Sequence, residues 1–162
     1  MKRVTFLAFL LATAPSGIVA VAHAAEGGPP DRATSGIASD QRTMAMRIRI
    51  KAGDKVVTAT LVDNPTSRDF ISLLPLTVTL EDHAATEKIT YLPRKLSTEG
   101  APAGSDPAIG DIAYYAPWGN LALFHRDFHY SSGLVPLGRI DAGIETLSRP
   151  GSLKTTIELV NK

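Results

Sequence analysis

The sequence predicts a mainly β protein, a closed antiparallel barrel of about eight strands whose ends are capped by two short helices. Several segments alternate apolar and polar residues with a period of two, which is typical of strands that bury one face. The two helical segments are too short to cover a parallel sheet. Closing the strands into a barrel would pair every sheet edge, so this architecture fits both observations.

The first two strands are predicted to form a hairpin. Residues 46–51 alternate apolar with basic side chains, and the sequence Ala-Gly-Asp at residues 52–54 forms a turn. Residues 57–61 alternate again and return along the first strand.

A short helix is predicted after this hairpin. Either Asn64 caps it with Pro65 at its first position, or Thr66 and Asp69 form a capping box, and the spacing allows both.

Two more strands are predicted after Pro75, over residues 76–80 and 88–92. Residues 93–110 then form a long connection rich in proline and glycine with few large apolar side chains. Loops of more than about 12–15 residues without structure of their own tend to be functional or disordered. Both interpretations of this connection are open.

Residues 110–125 contain the strongest concentration of aromatic side chains. Residues 112–115 and 121–124 are β-rich runs on either side of a turn that carries Trp118, the only tryptophan. Aromatic residues beside an exposed turn often supply a binding site with apolar area and a polar group. We therefore predict a ligand-binding surface at this hairpin, formed by Tyr115, Trp118, Phe124, His125 and Arg126.

The chain is predicted to end with a strand, a helix and a strand. Pro136 places the strand at residues 134–140 at a sheet edge or a bulge. Asp141 is expected to cap a second helix that reaches Leu147, and Pro150 and Gly151 stop it. Residues 155–160 form the closing strand.

The first 24 residues have the three parts of a secretory signal: a basic start, an apolar stretch and the cleavage sequence Ala22-His23-Ala24. We predict a signal peptide over residues 1–24, a flexible leader over residues 25–43 and the barrel domain over residues 44–162. The protein is then periplasmic or secreted, without a membrane attachment after cleavage. Because the chain has no cysteine, disulfides, thiol redox chemistry and lipid attachment through cysteine are excluded.

Charge argues against a nucleic-acid partner. The signal segment contains Lys2 and Arg3 and no acidic residue, so removing it lowers the basic count from 17 to 15 against 16 acidic residues. The mature chain would carry a net charge near −1. A nucleic-acid-binding domain normally has a basic excess or a basic stripe.

The central hairpin, the run Gly-Leu-Val-Pro-Leu-Gly-Arg-Ile at residues 133–140 and the sequence that follows it resemble the bacterial cyclophilin-like domain family. The resemblance covers about residues 44–159 and implies an eight-stranded barrel related to cyclophilins, the peptidyl-prolyl isomerases. The isomerase residues do not match. Phe124-His125-Arg126 comes after the hairpin instead of the first helix, and no Phe-x-x-Gln-x-Gly-Asp sequence is present. Arg94 is the one plausible substitute for the catalytic arginine.

Two other chemistries fit the sequence less well than surface residues without a catalytic role. His125 and His129 have the four-residue spacing that a helix can offer to zinc, with Asp127 as a third ligand, but no helix is expected there. Ser131 and Ser132 lack the Gly-x-Ser-x-Gly sequence of a hydrolase. We therefore predict no metal and no cofactor. The expected function is non-catalytic binding of a peptide or small molecule, and the alternative is an isomerase that uses Arg94.

Overall fold

A computed structural model describes residues 46–160, which form ten strands, one α-helix and one 3₁₀ turn. The predicted signal peptide and leader lie outside the described residues. In chain order the elements are β1 (Met46–Ala52), β2 (Lys55–Leu61), α1 (Pro65–Ile71), β3 (Leu76–His83), β4 (Glu87–Tyr91), β5 (Gly104–Ser105), β6 (Asp111–Tyr115), β7 (Asn120–Phe124), β8 (Ser131–Ser132), β9 (Leu134–Ala142), the 3₁₀ turn (Ile144–Thr146) and β10 (Leu153–Leu159). None of the helices in this range is long and apolar enough to cross a membrane.

Eight of the strands close into an antiparallel barrel in the order β1-β10-β3-β4-β7-β6-β9-β2, as the sequence predicts. The first hairpin pairs Ile50 with Val57, and the central hairpin pairs Ala113 with Ala122. The short strands β5 and β8 form a separate two-stranded sheet. Because every barrel strand has a neighbour on each side, the barrel has no open edge.

The barrel interior is filled by alternate residues of its strands. Ile48, Ile50, Leu80, Tyr114, Leu123 and Ile157 are among the side chains that are fully buried there. The apolar members of each period-two pattern face this core, which explains why strands could be identified from the sequence. Phe70 of α1 and Leu147 add apolar side chains to the same cluster.

Helix α1 begins with Asn64 as its cap. The Asn64 side chain accepts a hydrogen bond of 2.7 Å from the Ser67 amide, and Pro65 occupies the first turn, where the missing N–H of proline costs nothing. The structure therefore selects the Asn64 alternative over the capping box. The Ser67 hydroxyl also donates to the Leu137 carbonyl at 3.1 Å, which attaches α1 to β9.

The prediction of a second helix from Asp141 to Leu147 is wrong. Strand β9 continues to Ala142, and the Asp141 carboxylate accepts a hydrogen bond of 2.9 Å from the Thr60 hydroxyl of β2 instead of capping a helix. Gly143 then turns the chain with a φ of 87° and has no side chain to cap with. As a result a single 3₁₀ turn, Ile144–Thr146, follows β9.

Pro136 lies at a bulge. The pairing of β6 with β9 shifts by one residue between Ile112 and Ala113, where Pro136 and Gly138 are the partners on β9. The sequence allowed Pro136 to lie at a sheet edge or at a bulge, and the structure confirms the bulge.

The turn between β3 and β4 has an unusual backbone. Thr86 donates its amide to the His83 carbonyl at 3.1 Å, and the two central residues Ala84 and Ala85 have φ values of 48° and 57°. Positive φ at both central positions is the feature of a type I′ turn, where asparagine and glycine are preferred. Two alanines are a poor sequence for this backbone.

Candidate functional site

A groove lies on the outer face of the central hairpin. Along β7, Leu121 and Leu123 point into the barrel while Asn120, Ala122 and Phe124 face outward. Because Ala113 and Ala122 are paired across β6 and β7, the outer surface dips at this position. Ile89 and Leu134 complete a mainly apolar floor. The depression, called the aromatic groove below, has a volume of about 170 Å³.

Trp118 covers one side of the aromatic groove. Its ring lies edge-on to Tyr115 at 5.4 Å and edge-on to His83 at 5.5 Å between ring centroids, so the indole bridges the hairpin and β3. Half of its surface is still exposed, at 50%. The turn that carries it is fixed by backbone hydrogen bonds, of 2.9 Å from the Gly119 amide to the Tyr115 carbonyl and of 3.1 Å from the Leu92 amide to the Gly119 carbonyl.

A second aromatic pair adjoins the groove. The rings of Phe124 and Phe128 are stacked with their centroids 6.4 Å apart, and both line the aromatic groove. The polar lining comes from His83, Glu87, Asn120 and Ser131. An apolar depression with a few polar groups is the usual composition of a small-molecule or peptide site.

The long connection over residues 93–110 supports this site without lining it. Its Pro107 carbonyl accepts the Phe128 amide at 3.0 Å, and its strand β5 pairs with β8, which carries Ser131. Leu96 is buried in the core, and the Tyr114 hydroxyl accepts a hydrogen bond of 3.1 Å from its amide. The connection therefore holds the walls of the groove in position and does not close over it as a lid.

Three of the five predicted ligand-binding residues, Tyr115, Trp118 and Phe124, line the aromatic groove. His125 and Arg126 do not. After β7 ends, both of their amides donate to the Thr86 carbonyl, at 3.0 and 3.1 Å, and their side chains border a second depression beside Asp82. Burial, followed by the charge of Arg126, lowers the pKa of His125 below its usual value.

A buried lysine lies beside this second depression. Lys88 is completely inaccessible, and its ammonium group donates to the Asp82 carboxylate and to the Gly151 carbonyl. The Gly151 amide donates to the other Asp82 oxygen at 2.6 Å. These contacts join β3 and β4 to the chain before β10, so the Lys88 ammonium is occupied by structural bonds.

Arg94 lies away from the aromatic groove. Its two terminal nitrogens donate to the two Asp69 oxygens at 2.9 and 2.5 Å, and the Ser97 amide donates to the same carboxylate at 2.7 Å. These bonds lower the pKa of Asp69 to about 2, mainly through Arg94, and raise the pKa of Arg94. The guanidinium is bound to α1 and is not available to a prolyl peptide in the groove.

The two candidate zinc ligands do not form a site. His129 packs on Phe128 with a centroid distance of 3.9 Å, whereas His125 borders the second depression. Within residues 46–160, no group of three or more histidine or acidic side chains is arranged to hold a metal ion.

Sequence reasoning missed four lining residues that matter for chemistry. Asn120 and Ala122 could have been found by counting back in steps of two from Phe124, because they share its face of β7. His83 and Glu87 reach the groove only through the pairing of β3 with β4 and of β4 with β7. No local signal in the sequence specifies that pairing.

Comparison with known proteins supports the fold. The family model described as "Cyclophilin-like family" matches residues 50–158. The chain is also similar to a hypothetical protein from Archaeoglobus fulgidus, known from a solution structure, with 19% sequence identity and a TM-score of 0.55 over 75% of this chain and 99% of that chain. A search of curated proteins finds no match. Since the family model spans more than half of the sequence, this chain belongs to the cyclophilin-like family.

Proposed function

We propose that this chain is an exported, non-catalytic binding domain that holds a peptide or small molecule in the aromatic groove. One observation carries the proposal: a half-exposed indole stands beside a floor of small and aliphatic side chains on the outer face of the barrel. An exposed aromatic side chain beside an apolar depression rimmed by polar groups is typical of an interaction site. The groove volume of about 170 Å³ is close to the roughly 150 Å³ that accommodates a benzene-sized group.

The non-catalytic part of the proposal rests on Arg94 and on the composition of the groove. Isomerisation requires a donor that stabilises rotation about the prolyl bond, whose barrier is about 18–20 kcal/mol. Arg94 donates to Asp69, and no arginine of the described residues lines the aromatic groove. We expect a prolyl-isomerisation assay with the purified protein to give the uncatalysed rate, and a clear acceleration would contradict this part.

Binding can be measured through Trp118, because it is the only tryptophan in the chain. A panel of phenyl and branched aliphatic amides is titrated into the protein while the indole emission is recorded. We expect saturable changes for members that fit the groove. The test variant is Ala122→Leu, which places a larger side chain on the groove floor and should weaken binding at least about tenfold.

The matched control is Val62→Ala, which changes an exposed apolar side chain away from the groove. We expect it to bind with the affinity of the wild type. If Ala122→Leu also binds every amide with unchanged affinity while remaining folded, the ligand occupies another surface and the proposal fails.

Export is supported by the order of residues 1–24, in which a basic start, an apolar stretch and Ala-His-Ala follow each other.

A further inference from the structure

Asn120 presents an unpartnered polar atom to the aromatic groove. The side chain is 2% exposed, and its Oδ1 has no hydrogen-bond partner among the described residues. The Nδ2 group donates to the Leu121 carbonyl at 3.4 Å, which is longer than the usual range of about 2.7–3.2 Å. Burying an amide without partners is costly, so this side chain is suited to pair with a group that arrives from the groove.

Glu87 presents a negative charge to the same groove. The residue is 7% exposed, and no lysine or arginine of the described residues forms an ion pair with it. The Thr86 hydroxyl donates to one oxygen of its carboxylate. Its neighbour Lys88 points to Asp82 on the other side of β4. His125 is near enough to interact with Glu87, but burial lowers the pKa of His125 below its usual value and so disfavours a charged imidazole.

The strand register fixes the spacing of these two polar groups. Glu87 is paired with Phe124, and Asn120 is four residues before Phe124 on β7. At about 3.3 Å per residue the two positions are about 13 Å apart along the strand. The apolar floor at Ala122 lies midway between them. A ligand that meets both polar groups must therefore be elongated, with an apolar part in its middle.

We propose that the occupant of the aromatic groove is an extended peptide segment with a cationic group at the Glu87 end, an apolar side chain over Ala122 and a main-chain amide paired with Asn120. This inference rests on the proposed binding function and specifies its ligand. About four residues of extended chain span the distance from Glu87 to Asn120. An ammonium group supplies the charge that Glu87 lacks, and a peptide amide offers both a donor and an acceptor to the Asn120 side chain.

The experiment uses three capped tetrapeptides that differ at the first position, which is lysine, norleucine or glutamate, and share a phenylalanine at the third. Binding to the full chain is followed by Trp118 emission. We expect the lysine peptide to bind about tenfold more tightly than the glutamate peptide, with norleucine between them. In Glu87→Gln the three affinities should agree within about twofold.

Asn120→Ala separates the second contact from the first. We expect it to weaken all three peptides by a similar factor, about tenfold, and to keep the preference for lysine. If Glu87→Gln or Asn120→Ala does not fold, the ranking of the three peptides on the wild type still decides the question of charge.

Equal binding of the lysine and glutamate peptides overturns this inference and leaves the proposed binding function intact. The inference also fails if none of the peptides binds. In that case the separate titration with uncharged amides decides whether the groove binds anything, so the two failures can be told apart.

Discussion

Trp118 is a large side chain of which one half is packed and the other half is exposed to solvent. It packs edge-on against Tyr115 and His83 and remains half exposed. Edge-on aromatic pairs contribute about 0.5–1.5 kcal/mol, whereas truncating a buried aromatic residue costs about 3–5 kcal/mol. The degree of exposure therefore determines what its removal does.

We predict that Trp118→Ala lowers the free energy of unfolding by about 1–3 kcal/mol, the contribution of its two edge-on pairs, and abolishes binding to the aromatic groove. The thermal midpoint measures the first effect, and calorimetric titration measures the second because the variant has no tryptophan. The control Phe70→Ala, in a side chain that is 0% exposed, should cost several kcal/mol. A comparable loss in Trp118→Ala would show that the indole is a packing residue.

At the residue scale, the sequence predicted the aromatic side chains that line the aromatic groove and did not predict the polar ones. The aromatic residues of the groove that were predicted lie within ten positions of one another, on either side of or within one turn: Tyr115, Trp118 and Phe124. Glu87 is 37 residues before Phe124, and it becomes a neighbour only because β4 pairs with β7. Long-range strand pairing is not encoded in any single segment, so such residues need the structure.

At the element scale, Asp69 ties helix α1 to the connection after β4. Its carboxylate accepts from Arg94 and from the Ser97 amide. The pKa of Asp69 is about 2 in the folded chain and about 3.8 without these bonds. A lowered pKa stabilises the fold above about pH 4, and this contribution is lost as the pH falls toward 2.

We predict that Asp69→Asn lowers the free energy of unfolding by about 1 kcal/mol at pH 7, a value reduced by solvent screening of the partly exposed pair. The difference from the wild type should shrink toward zero between pH 4 and pH 2. Denaturant titrations at several pH values measure it. The control Asp106→Asn, at an exposed aspartate, should change stability by less than about 0.5 kcal/mol at every pH. A pH-independent difference would contradict the assignment.

The turn between β3 and β4 offers a second test at this scale. Ala84 and Ala85 both have positive φ, which L-residues with a Cβ disfavour. We predict that the double variant Ala84→Asn, Ala85→Gly raises the free energy of unfolding by about 0.5–1 kcal/mol, since Asn-Gly suits a type I′ turn. Thermal denaturation measures the change.

The matched control for the turn is Ala142→Gly, in an exposed strand residue without positive φ, which should lower stability by about 0.5–1 kcal/mol. If the turn variant is destabilised as the control is, the positive φ values do not strain the turn.

The strands were predictable because the apolar residues of each alternating segment face the core. The sequence could not show that a 3₁₀ turn instead of a helix follows β9, because the capping signal at Asp141 competes with a strand partner. Thr60 offers a hydroxyl to that carboxylate across the β2 and β9 pair. When both a cap and a ladder can satisfy the same side chain, tertiary pairing decides.

At the scale of the whole molecule, the proposed export makes a direct prediction. When the full chain is produced in bacteria, we expect the mature protein in the periplasmic or secreted fraction, beginning at Ala25. Intact mass and N-terminal sequencing measure the cleavage. The variant Leu10→Arg, which places a charge in the apolar stretch, should keep the protein uncleaved in the cytoplasm. A wild-type chain that retains Met1 and remains in the cytoplasm would refute export.

Strand β7 separates two tasks that many binding proteins must combine. Its inward residues Leu121 and Leu123 hold the barrel together, whereas Asn120, Ala122 and Phe124 face the groove. Under the proposed binding function, substitutions at the outward positions would alter ligand recognition while the inward positions preserve the fold. Relatives could therefore diverge in ligand while sharing one architecture. Because all three outward side chains are 2% exposed, a laboratory library at these positions should keep to side chains of similar volume.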